Sequence, residues 1–143
     1  MVRLANFVTG HKMTAGTMVV WVDGGELLLV RSKHGERRWG FPGGVLDRRE
    51  QPVDGACREL REETGLVIGP VDLTLVGTHV QEHGRHLDIV FRVHRARPAD
   101  AATATGDDHF EIAETGWFGL AALPPLRSEA ERARATYPGL LDS

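Results

Sequence analysis

Cysteine is nearly absent: Cys57 is the only one among 143 residues. No intrachain disulfide can form, which suits a reducing compartment. Long hydrophobic runs are missing as well. The apolar stretches are strand-sized, well short of the ~20 residues that span a bilayer, and Met1 to His11 lacks the apolar core of a secretory signal. A cytoplasmic location and no membrane partner are therefore expected. Positive charge is not in excess either. The formal net charge is -3 at pH 7, so the chain carries no basic footprint for a nucleic-acid polymer. Internal repeats are absent too. What remains, 41% hydrophobic and 26% charged residues, is the balance of a soluble globular protein. The length suits one domain that buries a core without staples. Residues 14–143 are expected to form it, with residues 1–13 as an N-terminal arm.

Thr17 to Val22 is apolar and β-branched, Asp23-Gly24-Gly25 follows, and Glu26 to Val30 is again apolar. Two such runs around a glycine turn predict a hairpin. Ser32 to Arg38 is polar and predicts a loop, and Trp39-Gly40-Phe41-Pro42-Gly43-Gly44 is a stiff, glycine-rich lead into the next element. That element is a helix between Pro52, tolerated only in a first turn, and Gly65, suited to a left-handed C-terminal cap. Val53, Ala56, Cys57, Leu60 and Thr64 recur at helical spacing and predict its core stripe. Strands are expected at Leu73–His79 and Leu87–His94 with a turn at Gln81–Arg85, and again at Glu114–Leu120. Arg97–His109 reads as a loop. Ser128 with Glu131 predicts a capping box opening a short helix. Strands on both sides of a helix point to an α/β domain of helix–sheet–helix layers with a mixed sheet.

Glu59, Glu62 and Glu63 stand at i, i+3 and i+4 of the first helix, so their carboxylates share one side. That side lies roughly a third of a turn or more from the apolar stripe. Like charges so placed repel, and a merely solvated face would gain from a lysine there. A hard divalent cation accounts better for the cluster, because it takes oxygen ligands. Magnesium suits it, completing its shell with water and phosphate oxygens. Gly43 and Gly44 leave backbone bare just before the helix, so a glycine carbonyl can approach such an ion. Glu50 and Arg58 are placed to meet and to fix the loop against the helix.

Gly44, five residues, Glu50, seven residues, Arg58-Glu59-Leu60, one residue, Glu62-Glu63, one residue and Gly65-Leu66 resembles the Nudix box, with every fixed position filled. The lead-in at 39–44 and the later Glu111-Ile112, Trp117-Phe118 and Leu123-Pro124 resemble the family more loosely. The resemblance implies a Nudix-type α/β/α sandwich with a mixed β-sheet. It also implies Mg2+-dependent hydrolysis of the diphosphate bond in a nucleoside diphosphate linked to another group, with Mn2+ as a substitute ion. Glu59 and Glu63 would be metal ligands, joined by the Gly43 carbonyl and by Glu62 through water or a second ion. Glu50 and Arg58 would be a structural ion pair. Glu63 or Glu111 would accept the proton of the attacking water, and the residues do not decide between them. Family members often form homodimers.

Other residues carry weaker signals. Arg31, within the cluster Arg31, Lys33, Arg37 and Arg38, is a candidate for substrate phosphates, and Trp39 either stacks on a base or packs under the glycine-rich loop. Trp21 and Trp117 are expected in the core, and Cys57 as packing. His79, His83 and His86 are close in sequence but have no cysteine pair to suggest zinc; on strand ends and a turn, they read as surface positions or, for at least one of them, as a substrate contact. The rival reading is a domain that binds nucleotide or ADP-ribose without cutting it, although such domains usually lack a box glutamate. Between Gln81 and Gly84 there is neither the proline nor the tyrosine that marks some subfamilies, which weighs against ADP-ribose and dinucleoside polyphosphates. Nucleoside triphosphates, oxidised ones included, and nucleotide sugars stay open.

Overall fold

The computed structural model describes residues 12–35, 37–101 and 112–142, with the side chains of Ile112 and Ala113 excepted. Most of the N-terminal arm, most of the Arg97–His109 loop and Glu111 lie outside these residues. The elements in chain order are β1 (Thr14–Val20), β2 (Val22–Asp23), β3 (Glu26–Ser32), β4 (Trp39–Gly40), β5 (Gly43–Val45), helix α1 (Pro52–Thr64), β6 (Leu73–Val80), β7 (His86–Val93), β8 (Ile112–Gly119) and helix α2 (Ser128–Thr136).

The strands form two sheets. Sheet A has the order β5-β1-β7-β6, and sheet B joins β2, β3, β4 and β8 through β3. Sheet A is mixed: β1 runs parallel to β7 and antiparallel to β5. The expected hairpin between residues 17–22 and 26–30 is corrected here. The chain changes sheets at Trp21, so only Val22–Asp23 pairs with β3, while Thr14–Val20 pairs with a strand some seventy residues later. The alternation of apolar residues explains how this is possible. Val19 and Trp21 pack toward α1 with Ala56, Leu60 and Ile89, whereas Met18 and Val20 pack toward α2 with Val90, Ala130 and Ala133. Both faces of β1 are buried, as befits a strand paired in parallel at the centre of a layered fold.

Helix α1 begins with proline in its first turn and ends at Gly65, whose φ of 76° lets its N–H return to the Arg61 carbonyl at 2.8 Å. Ala56, Leu60 and Thr64 of the expected stripe are buried, and Val53 and Cys57 are half-buried. Thr64 is satisfied internally, its hydroxyl donating to the Leu60 carbonyl at 2.6 Å and accepting from the Leu66 N–H at 3.1 Å. The capping box expected at Ser128 does not form. Arg127 is the cap, with no side-chain bond, and the Ser128 hydroxyl turns to Glu129. The cause is tertiary: the Arg127 N–H donates to the Trp39 carbonyl at 2.7 Å, and the Trp39 N–H donates to the Pro125 carbonyl at 3.1 Å. This tie to β4 starts the helix one residue early.

Leu60 is fully buried between α1 and the sheets. Replacing it with alanine is expected to cost about 2–5 kcal/mol, read as a lower urea midpoint. A loss well under 1 kcal/mol would contradict the packing described here.

Candidate active site

The site is built where β5 meets α1. Gly43 has a φ of 154°, and a Cβ there would fall 1.9 Å from the Thr17 carbonyl oxygen. At Gly44 a Cβ would fall 2.6–2.8 Å from the two carboxylate oxygens of Glu59. Only glycine lets the β5 backbone come this close both to β1 and to the helix carboxylates.

Arg58 organises the polar side of α1. Its Nε donates to Glu50 Oε2 at 2.7 Å and its Nη2 to Glu50 Oε1 at 2.8 Å, a two-pronged pair. Its Nη1 donates to Glu59 Oε1 and to Glu62 Oε2, each at 3.0 Å, and Nη2 reaches the Val45 carbonyl at 3.3 Å. Glu50 also accepts the Asp47 N–H at 3.0 Å. One guanidinium thus joins the loop after β5 to the helix and hydrogen-bonds three carboxylates, with Asp47 Oδ2 a fourth at 3.4 Å. The Arg58 hydrogen bonds draw the Glu50 carboxyl down to about 2, and the Arg58 guanidinium is made harder to deprotonate, chiefly by the same bond.

Glu63 differs from the others. The residue is only 8% exposed, although the sequence pattern sets it off the core stripe. Its Oε2 is buried with no hydrogen-bond partner. Burial, then the Glu59 charge, push its carboxyl well above the ordinary carboxylate range, against the pull of the Gly43 N–H and the positive Arg127. Burial also raises Glu59, with Arg58 opposing. Glu59 thus opposes the ionisation of a buried neighbour that has an unused oxygen, and a cation would relieve such a site. Among the described residues, no three acidic, histidine or cysteine side chains already converge as a metal-ligand set. Arg58 gathers Glu50, Glu59 and Glu62 instead.

A cleft of about 160 Å³ opens beside Gly43 and Gly44, lined also by Gly16, His86, Asp88 and Arg127. The sequence reading did not single out Arg127 or Asp88. Arg127 had no local signal, since only the tie between 125–127 and Trp39 brings it here. Asp88 did have one, being a lone charge in an apolar strand. Of the weaker substrate candidates, Arg31 and Trp39 do not border this cleft, whereas His86 does. The Arg31 guanidinium pairs with Glu114 and lies 5.0 Å over the Trp39 ring. Trp39 packs edge-on against Phe118 at 4.6 Å, so packing rather than an open stacking face describes it. Trp21 is core, and Trp117 meets it edge-on at 5.6 Å. His79 and His86 flank Asp88, and His83 bonds to Gln81.

The sequence matches the NUDIX domain family over residues 10–140. The chain belongs to that family. A MutT-like protein of Streptomyces ambofaciens is 33% identical to this Nudix chain over 98 residues, 68% of it and 59% of the relative. The 8-oxo-dGDP phosphatase NUDT18 of Mus musculus is 33% identical over 108 residues, 72% of this chain and 31% of its own length. An RNA pyrophosphohydrolase of Halorhodospira halophila is 42% identical over 60 residues, 42% of this chain and 32% of its own. The Nudix chain therefore spans less than two thirds of each of these relatives. Among solved structures, a MutT NUDIX hydrolase from Burkholderia pseudomallei superposes with a TM-score of 0.67 at 27% identity, over 85% of this chain and 95% of that one. The α/β Nudix fold with its mixed sheet is thereby established. No helix among the described residues is long and apolar enough to cross a membrane.

The Glu50–Arg58 pair has a pH signature. Glu50 ionises at about 2 when folded against an ordinary 4.5. A depressed carboxyl contributes stability that is full above 4.5 and disappears as pH falls through about 2. In metal-free denaturant titrations the native chain should therefore lose more stability across that window than Glu50→Gln. Parallel pH profiles for the two proteins would show the pair to be energetically idle.

Proposed function

We propose that the chain is a divalent-metal-dependent pyrophosphohydrolase that cuts the diphosphate bond of a nucleotide-type substrate. The observation that carries this reading is the buried, unpartnered oxygen of Glu63 beside Glu59, on the helix that contains the complete Nudix box. The donor set of Glu59, Glu62, Glu63 and the Gly43 carbonyl is all oxygen, which fits Mg2+, or Mn2+ in its place, better than a thiophilic ion. When bound, such an ion neutralises diphosphate charge and lowers the pKa of a coordinated water.

The chain's own residues have separate tasks. Gly43 and Gly44 keep the approach free of side chains. Arg58 fixes Glu59 and Glu62 on the helix, with Glu50 anchoring Arg58 in turn. Glu63 has the free oxygen needed to take up the proton of the attacking water. Glu111 is the other candidate for that proton. Arg127 adds positive charge at the cleft, where a phosphate would rest. Positioning and electrostatics of this kind supply most of the rate in phosphoryl-type reactions. The names of the relatives span an oxidised nucleotide and RNA pyrophosphates, and the chemistry they share is the anhydride.

Glu63→Gln and Glu111→Gln, made separately, should identify the base. One of them should lower kcat by at least about tenfold, equal to ~1.4 kcal/mol, on a nucleotide that the native protein hydrolyses. EDTA should abolish turnover and Mg2+ restore it. Turnover that survives EDTA would overturn the proposal, as would tight nucleotide binding without any hydrolysis.

A further inference from the structure

The face of sheet A turned toward α2 carries an unexpected carboxylate. Asp88 is 3% exposed on β7, two residues before the core residue Val90 on the same face. Aspartate is almost never this buried unless it is paired. In register it stands between Gly16 of β1 and His79 of β6. Gln81 Nε2 donates to its Oδ2 at 3.0 Å. The Nε2 atoms of His79 and His86 stand 3.2 Å from Oδ2 and 3.3 Å from Oδ1. An ionised carboxylate accepts about four hydrogen bonds; among the described residues only Gln81 makes one, and His79 Nε2 is buried without a partner, so acceptor capacity is left on both oxygens.

His86 and Asp88 border the same cleft of about 160 Å³. That is smaller than the ~300 Å³ at which pockets for whole drug-sized ligands begin, so the cleft suits one part of a substrate. Gly16 keeps it open. A Cβ there would sit 2.9 Å both from His86 Nε2 and from the Gly44 carbonyl oxygen. The His86 ring is held from its far side by Thr14, with Nδ1 2.6 Å from the hydroxyl. Gly44 and Arg127 form the cleft's other border, toward the helix carboxylates. The cleft therefore offers a buried anionic acceptor beside a fixed planar ring, with Arg127 and Glu129 also at its border.

We propose that Asp88 is the specificity-determining residue of this cleft and selects a guanine-type base. This rests on the reading of the chain as a nucleotide hydrolase. Guanine presents a ring N–H and an adjacent amino group on one edge, two neighbouring donors that a carboxylate accepts together. Adenine, cytosine and uracil present no such adjacent pair, and each would set a ring nitrogen or carbonyl acceptor against the carboxylate. A mismatched acceptor facing a buried charge is costly because neither group regains its water.

Calorimetric titration with GMP, AMP, CMP and UMP tests this directly. The monophosphates have no anhydride, so the result does not depend on whether the chain hydrolyses anything. The native protein should bind GMP about fivefold or more tighter than the other three, the lower end of discrimination by a two-donor base contact. Asp88→Asn keeps the side-chain shape but replaces one acceptor with a donor. It should erase the GMP preference while AMP affinity stays within about twofold, which also shows that the variant is folded. Native protein with no GMP preference, or with no binding of any of the four at millimolar concentration, overturns the proposal. So does an Asp88→Asn variant that keeps the preference or weakens all four nucleotides equally.

Discussion

A single guanidinium holds the polar side of α1 together. Asp47, Glu50, Glu59 and Glu62 all reach Arg58, and Glu63 adds a fifth carboxylate in the same region without reaching it. Such a concentration of like charge is not a route to stability. Ion pairs partly withdrawn from water return little more than their desolvation cost, and an apolar helix face would fold at least as well. The arrangement makes sense as a fixed electrostatic scaffold. Arg58 compensates part of the charge and fixes the directions of the carboxylates, while the excess remains at Glu59 and Glu63. The depressed Glu50 and the raised Glu63 carboxyls are two sides of that division. The first has two of the guanidinium's hydrogen bonds in a two-pronged pair, and the second has burial and a neighbouring charge.

The glycines of β5 connect this scaffold to the sheet. At Gly43 the backbone is pressed against β1, and at Gly44 against Glu59. A side chain at Gly43 would force β5 away from β1, and one at Gly44 would displace the Glu59 carboxylate. The same two residues border the cleft that extends toward the other face of sheet A. A thin strip of backbone therefore separates the carboxylates on one side from His86 and Asp88 on the other.

Much of this was legible in the sequence because it is local. Pro52 and Gly65 bound α1 through backbone rules that act within one turn, and the helical spacing places Glu59, Glu62 and Glu63 together. The Glu50–Arg58 contact spans eight residues across one loop and was readable for the same reason. Other features depend on distant partners. Thr17–Val22 has the composition of half a hairpin, but its pairing is decided by β7, and composition says nothing of that register. Ser128 has the pattern of a cap, yet the tie from Arg127 to Trp39 sets the helix start. Glu63 was placed on the polar side, and its burial follows from the close approach of β5, which spacing along a helix cannot reveal. Glu111 falls outside the described residues, so the choice between two proton acceptors stays where the sequence left it.

Asp88 is a signal that the strand pattern itself contains. In Leu87–Val93 an aspartate interrupts an apolar run, and strand alternation alone would place it on the same face as Val90. A charge on a buried face either is neutralised by partners or serves a ligand. The partners present, one amide donor and two imidazoles at ion-pair distance, compensate it only in part, and the cleft beside it is bordered by a residue with no side chain. The cleft reaches this otherwise enclosed carboxylate beside the side-chain-free Gly16, which a recognising role needs and a packing role does not.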